Sequence, residues 1–347
     1  MRVGIVGAGA AGSGAAYALR DADATVTIVE KSGGVCGRAA TRRKHGCHYD
    51  HGANYLKEAD DRTASLLSSL GTDGLVDIEP PVWTFDGAGD ITAGDDRGGH
   101  KWAWTEGMTQ LAKRLLARTD ATVHRRTRVT EIARDGGSDT DRRPWTLVAE
   151  DGERYGPFDV VLLTPPAPQT AELLRATDWA DDRLDRLRDA VEAVPYRTIR
   201  TVVLHYPFRE SYPWYGLVNT DKAHAIGWLS REECKDGHVP DGESLLIVQM
   251  SPEWSTARYD EGLDDILPDV TERVAALLDD DRYRNPDWVD DQGWRYALPD
   301  SGVETAAGAA SDAGLYVAGD WVAGEGRVER ALWNGHETGE RIKDASP

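Results

Sequence analysis

Three glycines at fixed spacing near the N-terminus constrain this chain more than any other feature. The apolar run 3–6 enters Gly7-Ala-Gly9-Ala10-Ala11-Gly12, passes small residues including Ala16, and is followed by a second apolar run, 25–29, that ends on Glu30. The pattern predicts a strand, a tight turn, a helix and a second strand. Gly7 permits the turn, Gly9 lets the backbone approach a pyrophosphate, and Gly12 allows close packing of helix on sheet. The free amides and positive dipole end of such a helix hold an anion without a basic side chain. Glu30 falls about 20 residues beyond the glycines, where a carboxylate can accept from a ribose diol.

NAD and FAD both use that first loop, and the next segment discriminates between them. Lys31 leads into a second glycine-rich turn, Gly33-Gly34-Val35-Cys36-Gly37-Arg38. A second loop carrying a fixed cation suits the long diphosphate of FAD, and the planar fork of Arg38 matches paired phosphate oxygens. The expected fold class is therefore α/β: a two-domain flavoprotein with a Rossmann-like FAD domain and a mixed-sheet substrate domain.

Four further segments join the second loop in one ordered set: Tyr49-Asp-His-Gly-Ala-Asn-Tyr-Leu56, Trp294-Arg-Tyr-Ala-Leu-Pro299, Leu315-Tyr-Val-Ala-Gly-Asp-Trp321 and Arg327-Val-Glu-Arg-Ala331. In this order the chain resembles the renalase-like flavoproteins of the broader amine-oxidase-like group. Cys36 stands where that family usually has glycine, and Asn54 where glutamine is common. The resemblance implies cofactor contacts from Gly7, Gly9, Ala10, Ala11, Gly12, Glu30, Lys31, Gly37, Arg38, Gly52, Ala53, Asn54, Val129, Gly319, Asp320, Arg327 and Val328. It implies that Asp320 meets the ribityl side and that the helix starting near Val328 faces the flavin pyrimidine ring, where its amides stabilise charge gained on reduction. It also implies oxidation of misplaced dihydronicotinamide isomers of NAD(P)H, with oxygen as acceptor and hydrogen peroxide as product. An amine oxidase or related desaturase, and a flavin-binding sensor without turnover, are the alternatives. The C-terminal segment holds no cysteine, so the FAD is expected to be non-covalent.

The catalytic residues are not legible in the sequence. Loss of hydride from a dihydropyridine yields an aromatic pyridinium directly, so positioning can carry the chemistry without an acid–base pair. Asn54, Tyr55, Trp294 and Tyr296 are the substrate-side candidates. Trp214, Tyr215 and Trp228 are weaker ones, and Lys57, Lys101 and Arg295 are possible sources of positive charge. His45, Cys47, His48, Asp50 and His51 are the rival site. Their irregular spacing lacks a second ligand cluster, and alternate strand residues face opposite sides, so no metal is expected.

Composition supports an enzyme of this kind and excludes other classes. The 347 residues suffice for two domains, and 60 acidic against 40 basic residues leave a net charge of −20. Such a surface repels nucleic acid and anionic membranes. The excess of acid also fits a protein adapted to high salt, which screens self-repulsion. No apolar run is long enough to span a bilayer, no signal peptide precedes the first strand, and three cysteines form no paired framework, so a cytoplasmic location is expected.

Apolar periodicity and turn residues divide the chain discontinuously. The FAD domain is expected at 1–57, 103–166 and 311–347, and the substrate domain at 58–102 and 167–310. Helices are expected through Leu111 and Leu115, through Leu184 to Val194, and through Ile266 to Leu277. Strands are expected at 145–149, 153–158, 160–163, 201–205, 217–219, 225–229 and 245–250, with a surface loop at 136–141.

Overall fold

In the computed structural model, which describes residues 1–58, 60–94, 99–134, 144–303 and 305–345, the short apolar runs become a five-stranded parallel sheet. Arg2–Val6 takes the centre. Thr25–Glu30 and then Thr122–Arg125 lie on one side, Val160–Leu163 and Leu315–Val317 on the other. Both faces are covered, which is why these strands read as nearly unbroken apolar runs.

On one face the helix Ala10–Ala18 and the C-terminal helix Val328–Asp344 pack together over Val3, Ile5 and Leu162. Small residues set how near the two helices come. A Cβ at Gly335 would stand 2.0 Å from the Ala11 carbonyl oxygen, and one at Gly14 2.6 Å from that of Leu332. On the other face Val161, Leu163 and Leu315 join a core built on Trp145 and Leu147, from the antiparallel sheet Val129–Arg134, Trp145–Ala149 and Arg154–Phe158.

The second compact unit centres on a seven-stranded sheet in the order Trp288–Pro299, Tyr196–Tyr206, Ser244–Met250, Ile226–Arg231, Gly216–Asn219, Val82–Phe85 and Ile91–Thr92. It is mixed: Gly216–Asn219 runs parallel to Val82–Phe85 but antiparallel to Ile226–Arg231. The helix Leu263–Leu278 lays Ile266, Val270 and Val274 against Val202, Leu204 and Val248, the stripe that its 3.6-residue period anticipates. The fold class read from the sequence is therefore the observed one.

The units divide at other points than the sequence expectation. One comprises Met1–Ala39, Thr109–Tyr196 and Leu298–Pro347, the other Ala40–Met108 and Arg197–Ala297. The first switch precedes 57 because Thr41–Lys44 and Cys47–Asp50 form a hairpin whose Cys47 and Tyr49 pack with Val203, Leu245 and Ile247. The third follows 166 because the proline pair that ends one strand opens the helix Ala167–Arg175, with Pro166 as its N-cap. That helix and Asp182–Glu192 bury Leu173, Leu174, Leu184 and Leu187 in the Trp145 core. The expected strands appear within a few residues of their bounds, 201–205 lengthening to Tyr196–Tyr206. The loop at 136–141 lies outside the described residues.

Candidate active site

In the first unit the glycine loop has the shape its spacing requires. Gly7 adopts φ +100, and its amide donates to the Val29 carbonyl at 2.9 Å. A Cβ at Gly12 would lie 2.0 Å from the Gly7 carbonyl oxygen, whereas one at Gly9 would meet nothing within 4 Å. The space over Gly9 is thus a cradle that a side chain would fill. Gly9 caps the helix Ala10–Ala18 without a side-chain hydrogen bond, leaving the amides of that first turn, including those of Ala10 and Ala11, for an anion. Open space, free amides and a helix N-terminus fit a diphosphate.

Glu30 is buried, and its two carboxylate oxygens accept from the amides of Ala8 at 2.8 Å and Ser32 at 2.7 Å. The remaining lone pairs are available to a diol. Beyond it opens a cavity of about 570 Å³ lined by Lys31, Ser32, Arg126 and Arg128 among others. Val129, at the start of the next strand, is buried.

The second loop closes on the first through the Cys36 amide, which donates to the Ala8 carbonyl at 2.8 Å. Cys36 has φ +80, the left-handed region that glycine occupies most easily, which accounts physically for the glycine usual there. Gly37 begins a short turn of 3₁₀ helix that ends at Ala39. Arg38 does not stand alone: its guanidinium forms two hydrogen bonds with the Asp320 carboxylate, at 2.9 and 2.7 Å. Asp320 is 3% exposed and follows Gly319, whose amide donates to Asn334 Oδ1 at 2.9 Å. A residue expected to grip phosphate and one expected at the ribityl chain therefore form one ion pair.

The C-terminal helix begins at Val328, with Arg327 as its extended N-cap and no side-chain cap. Its first amides are thus free of side-chain capping. Glu329 in the same first turn is buried, and desolvation raises its carboxyl above the ordinary value. Its place within the terminal motif was legible; its burial was not.

In the second unit the segment from His51 to Tyr55 is held by polar contacts from three directions. Asn54 donates to the Asp50 carbonyl at 2.7 Å, Gln249 to the Gly52 carbonyl at 2.7 Å, and the Trp294 indole to the His51 carbonyl at 3.1 Å. Ala53 lies between these anchors. The Trp294 and His51 rings stack at 5.3 Å, and Tyr296 shares the strand face of Trp294 by its spacing of two. Tyr55 meets Tyr215 edge-on, and Tyr215 in turn meets Trp228. Burial pushes the His51 imidazole down to about 4, with Arg42 adding to the effect, and its Nδ1 has no hydrogen-bond partner. His51 is therefore neutral near pH 7. Trp214 is buried and stacks on Tyr212 at 4.8 Å. Lys57 and Lys101 are cross-strand neighbours, and Arg295 is exposed, over the Tyr259 ring.

Sequence reasoning missed the buried charge cluster beside this segment. Lys235 Nζ lies 2.8 Å from both Asp50 Oδ2 and Glu232 Oε1, and His238 Nδ1 lies 2.9 Å from Glu232 Oε2. All four side chains are fully buried. Burial would raise the Asp50 carboxyl, but the charges of Lys235 and His238 prevail and lower it; burial would lower the Lys235 ammonium, but Asp50 and Glu232 prevail and raise it. Asp50 lies 182 positions from Glu232 and 185 from Lys235, so no local pattern could join it to that group. The rival group around Cys47 also separates: Asp50 joins this cluster, while Cys47 joins His205 and Glu243.

Comparison with known proteins agrees with this arrangement. Residues 5–70 match an NAD(P)-binding Rossmann-like domain, and residues 85–343 match the flavin containing amine oxidoreductase family. Over 70 residues the chain is 41% identical to protoporphyrinogen oxidase 2 of Arabidopsis thaliana and 36% identical to the mitochondrial protoporphyrinogen oxidase of Nicotiana tabacum. That segment covers 20% of this chain and only 14% of either relative. Among solved structures, a protein from Exiguobacterium sp. 255-15, provisionally assigned as a protoporphyrinogen oxidase, superposes with a TM-score of 0.76 at 17% identity, covering 99% of both chains. A triple mutant of putrescine oxidase gives 0.75 at 14% identity, again over 99% of both. No helix among the described residues is long and apolar enough to cross a membrane. The chain belongs to the flavin-containing amine oxidoreductase family.

Proposed function

We propose that this enzyme oxidises 2- and 6-dihydro isomers of NAD(P)H to NAD(P)+, with oxygen as the final acceptor and hydrogen peroxide as the second product. The observation that most supports this reading is the joining of Trp294 to the segment from His51 to Tyr55, by stacking and by the indole hydrogen bond. It sets flat aromatic surfaces beside backbone that is fixed in place, which suits a planar, neutral ring. The carboxylates of this neighbourhood are already matched by cations: Asp50 by Lys235, Asp290 by Arg42 and Asp291 by Arg200. An alkylammonium substrate would find no uncompensated anion in those three groups.

In this proposal FAD is bound non-covalently and supplies a two-electron acceptor. Gly7, Gly9, Ala10, Ala11 and Gly12 hold its diphosphate by backbone amides, and Glu30 and Lys31 its adenosine end beside Val129. Gly37, Arg38, Gly319 and Asp320 hold the middle of the cofactor, and Arg327 and Val328 meet the isoalloxazine. Asn54, Tyr55, Trp294 and Tyr296 orient the donor ring and exclude water. No side chain is asked to take a proton. We assign a cytoplasmic setting, in keeping with the absence of a disulfide among the described residues.

The experiment is anaerobic stopped-flow reduction of the purified yellow protein. Fast bleaching by 2- or 6-dihydro isomers, slow bleaching by ordinary 4-dihydro NADH, and impairment in Trp294→Ala and Tyr296→Ala are expected. Fast bleaching by a diamine or by protoporphyrinogen, with no response to any dihydronicotinamide, would replace the proposal with that activity. Cofactor placement has a separate test in Val328→Pro. Val328 is the first helical residue and Arg327 is extended at φ −138, ψ 148, so proline removes one amide without breaking the helix. The proline variant should lower the flavin potential more than Val328→Ala; equal potentials would place that amide away from the cofactor.

A further inference from the structure

A cluster in the second unit stands apart from every residue assigned to cofactor or substrate. Register explains how it forms. In the antiparallel pair Tyr206 opposes Ser244 and His205 opposes Leu245, so Glu243, in the turn just before Ser244, reaches the side chain of His205. His205 Nε2 and Glu243 Oε2 are 2.9 Å apart. The hairpin brings Cys47 to the same place through the apolar packing of Cys47 and Tyr49 on Val203, Leu245 and Ile247. One donor atom from each of Cys47, His205 and Glu243 lies within 4.8 Å of the other two.

We propose that Cys47 Sγ, His205 Nε2 and a Glu243 oxygen bind a zinc-class divalent cation, with water as the fourth ligand. The donor set is one thiolate, one imidazole and one carboxylate, which zinc accepts in tetrahedral geometry. The charges of thiolate and carboxylate cancel that of the ion, so the filled site is neutral. A carboxylate stands near the second ring nitrogen of His205, short of the hydrogen bond usual for a metal-bound imidazole. Its Nδ1 is buried without a hydrogen-bond partner, 3.4 Å from Asp287 Oδ2, and the Trp288 ring stacks on it at 5.0 Å and 10°. Glu243 is partly exposed, so an ion can reach the site from solvent.

The second group of potential ligands in this unit provides the contrast. Asp50, Glu232 and His238 also converge, but Lys235 Nζ already sits 2.8 Å from both carboxylates and takes the cation's place. Glu243 has no lysine or arginine ion pair among the described residues. A bound ion would tie the hairpin to the long strand Tyr196–Tyr206 and to the turn before Ser244–Met250, all within one unit.

The test uses the flavin-loaded protein, treated with a chelator, dialysed, and then given zinc chloride alone. After gel filtration, elemental analysis should find about one zinc per chain. Cys47→Ser and His205→Gln should weaken retention at least tenfold, roughly the effect of losing a ligand or its support, while Cys234→Ser should retain zinc as the wild type does. Cobalt in place of zinc should give a sulfur-to-cobalt charge-transfer band, read as the difference from the zinc form and absent in Cys47→Ser. Unchanged FAD content shows that a variant is folded. If Cys47→Ser folds poorly, Glu243→Gln at the partly exposed edge carries the same comparison. A wild type that retains no zinc, or a Cys47→Ser protein that retains as much, would overturn the site and leave a plain His205–Glu243 hydrogen bond.

Discussion

Lys235 is wholly enclosed, and the two carboxylates it meets have no other lysine or arginine partner in the cluster. Removing one member of a buried ionic network leaves the opposite charges uncompensated, which typically costs about 3–5 kcal/mol. Lys235→Met keeps most of the stem and deletes the charge, so Asp50 and Glu232 would repel one another in a dry environment. A loss of that size in urea unfolding is expected; a loss under about 1 kcal/mol would show that water or a proton compensates the pair. His51 makes a second prediction at this scale, read as a pH dependence. Its imidazole is held down to about 4 from an ordinary value of 6.5, so the unfolded chain binds its proton first as pH falls. The stability tied to the neutral ring is complete above the unfolded value and declines from about pH 6.5 toward pH 4, by roughly 2 kcal/mol at pH 5. His51→Phe keeps an aromatic partner for Trp294 and removes the titration. The gap in melting temperature between about pH 7 and pH 5 should be smaller in this variant than in the wild type. An unchanged gap would mean that His51 titrates normally.

At the scale of elements, the pairing of the first helix with the last decides the cofactor unit. Gly14, Gly335 and Gly339 bring two backbones into contact, each Cβ position lying 2.0 to 2.7 Å from a carbonyl oxygen of the partner helix. In an exposed helix a glycine-to-alanine change stabilises by about 1 kcal/mol through the unfolded chain. At Gly335 the sign should reverse, because the new methyl group meets rigid backbone, and a cost of about 3 kcal/mol is expected from overpacking. Gly308→Ala is the control: its nearest contact is Ser311 Oγ at 4.0 Å. Equal unfolding midpoints for the two variants would mean that the helices separate easily. The same helix pair carries the amides of Gly9 to Gly12 at one N-terminus and those of Val328 at the other, so failure at Gly335 should also appear as poor FAD loading.

Across the whole molecule, the net charge of −20 opposes compaction. Many arginines are matched locally, as in Arg183 with Asp181 and Asp312, or Arg258 with Glu261 and Asp269. Salt weakens those partly exposed pairs, but each contributes little, whereas screening relieves repulsion among the carboxylates in excess. Stability should therefore rise with potassium chloride up to about 1 M, and a maximum at no added salt would count against adaptation to high salt.

Much of the cofactor unit could be read directly because its constraints are local and written in residue type. A left-handed turn at Gly7 and a helix pressed on its own turn at Gly12 each favour glycine, while the open space over Gly9 leaves room for a ligand. Periodicity likewise announced the helices around Leu187 and Val270, since a buried stripe must repeat every 3.6 residues. The sequence was less informative where partners meet across long separations. It showed Arg38 and Asp320 as two binding residues, not as one ion pair, and it showed His45 to His51 as one polar cluster. Strand alternation already set Cys47 and Asp50 on opposite faces, but only the tertiary structure supplies each with companions, His205 and Glu243 for one, Glu232, Lys235 and His238 for the other. The unit boundaries at Ala39 and Tyr196 were hidden for the same reason, because apolar residues declare that they will be buried but not against which core. Backbone geometry is dictated by neighbours in the chain and is therefore legible there, while the matching of buried charges depends on which distant strands share a register.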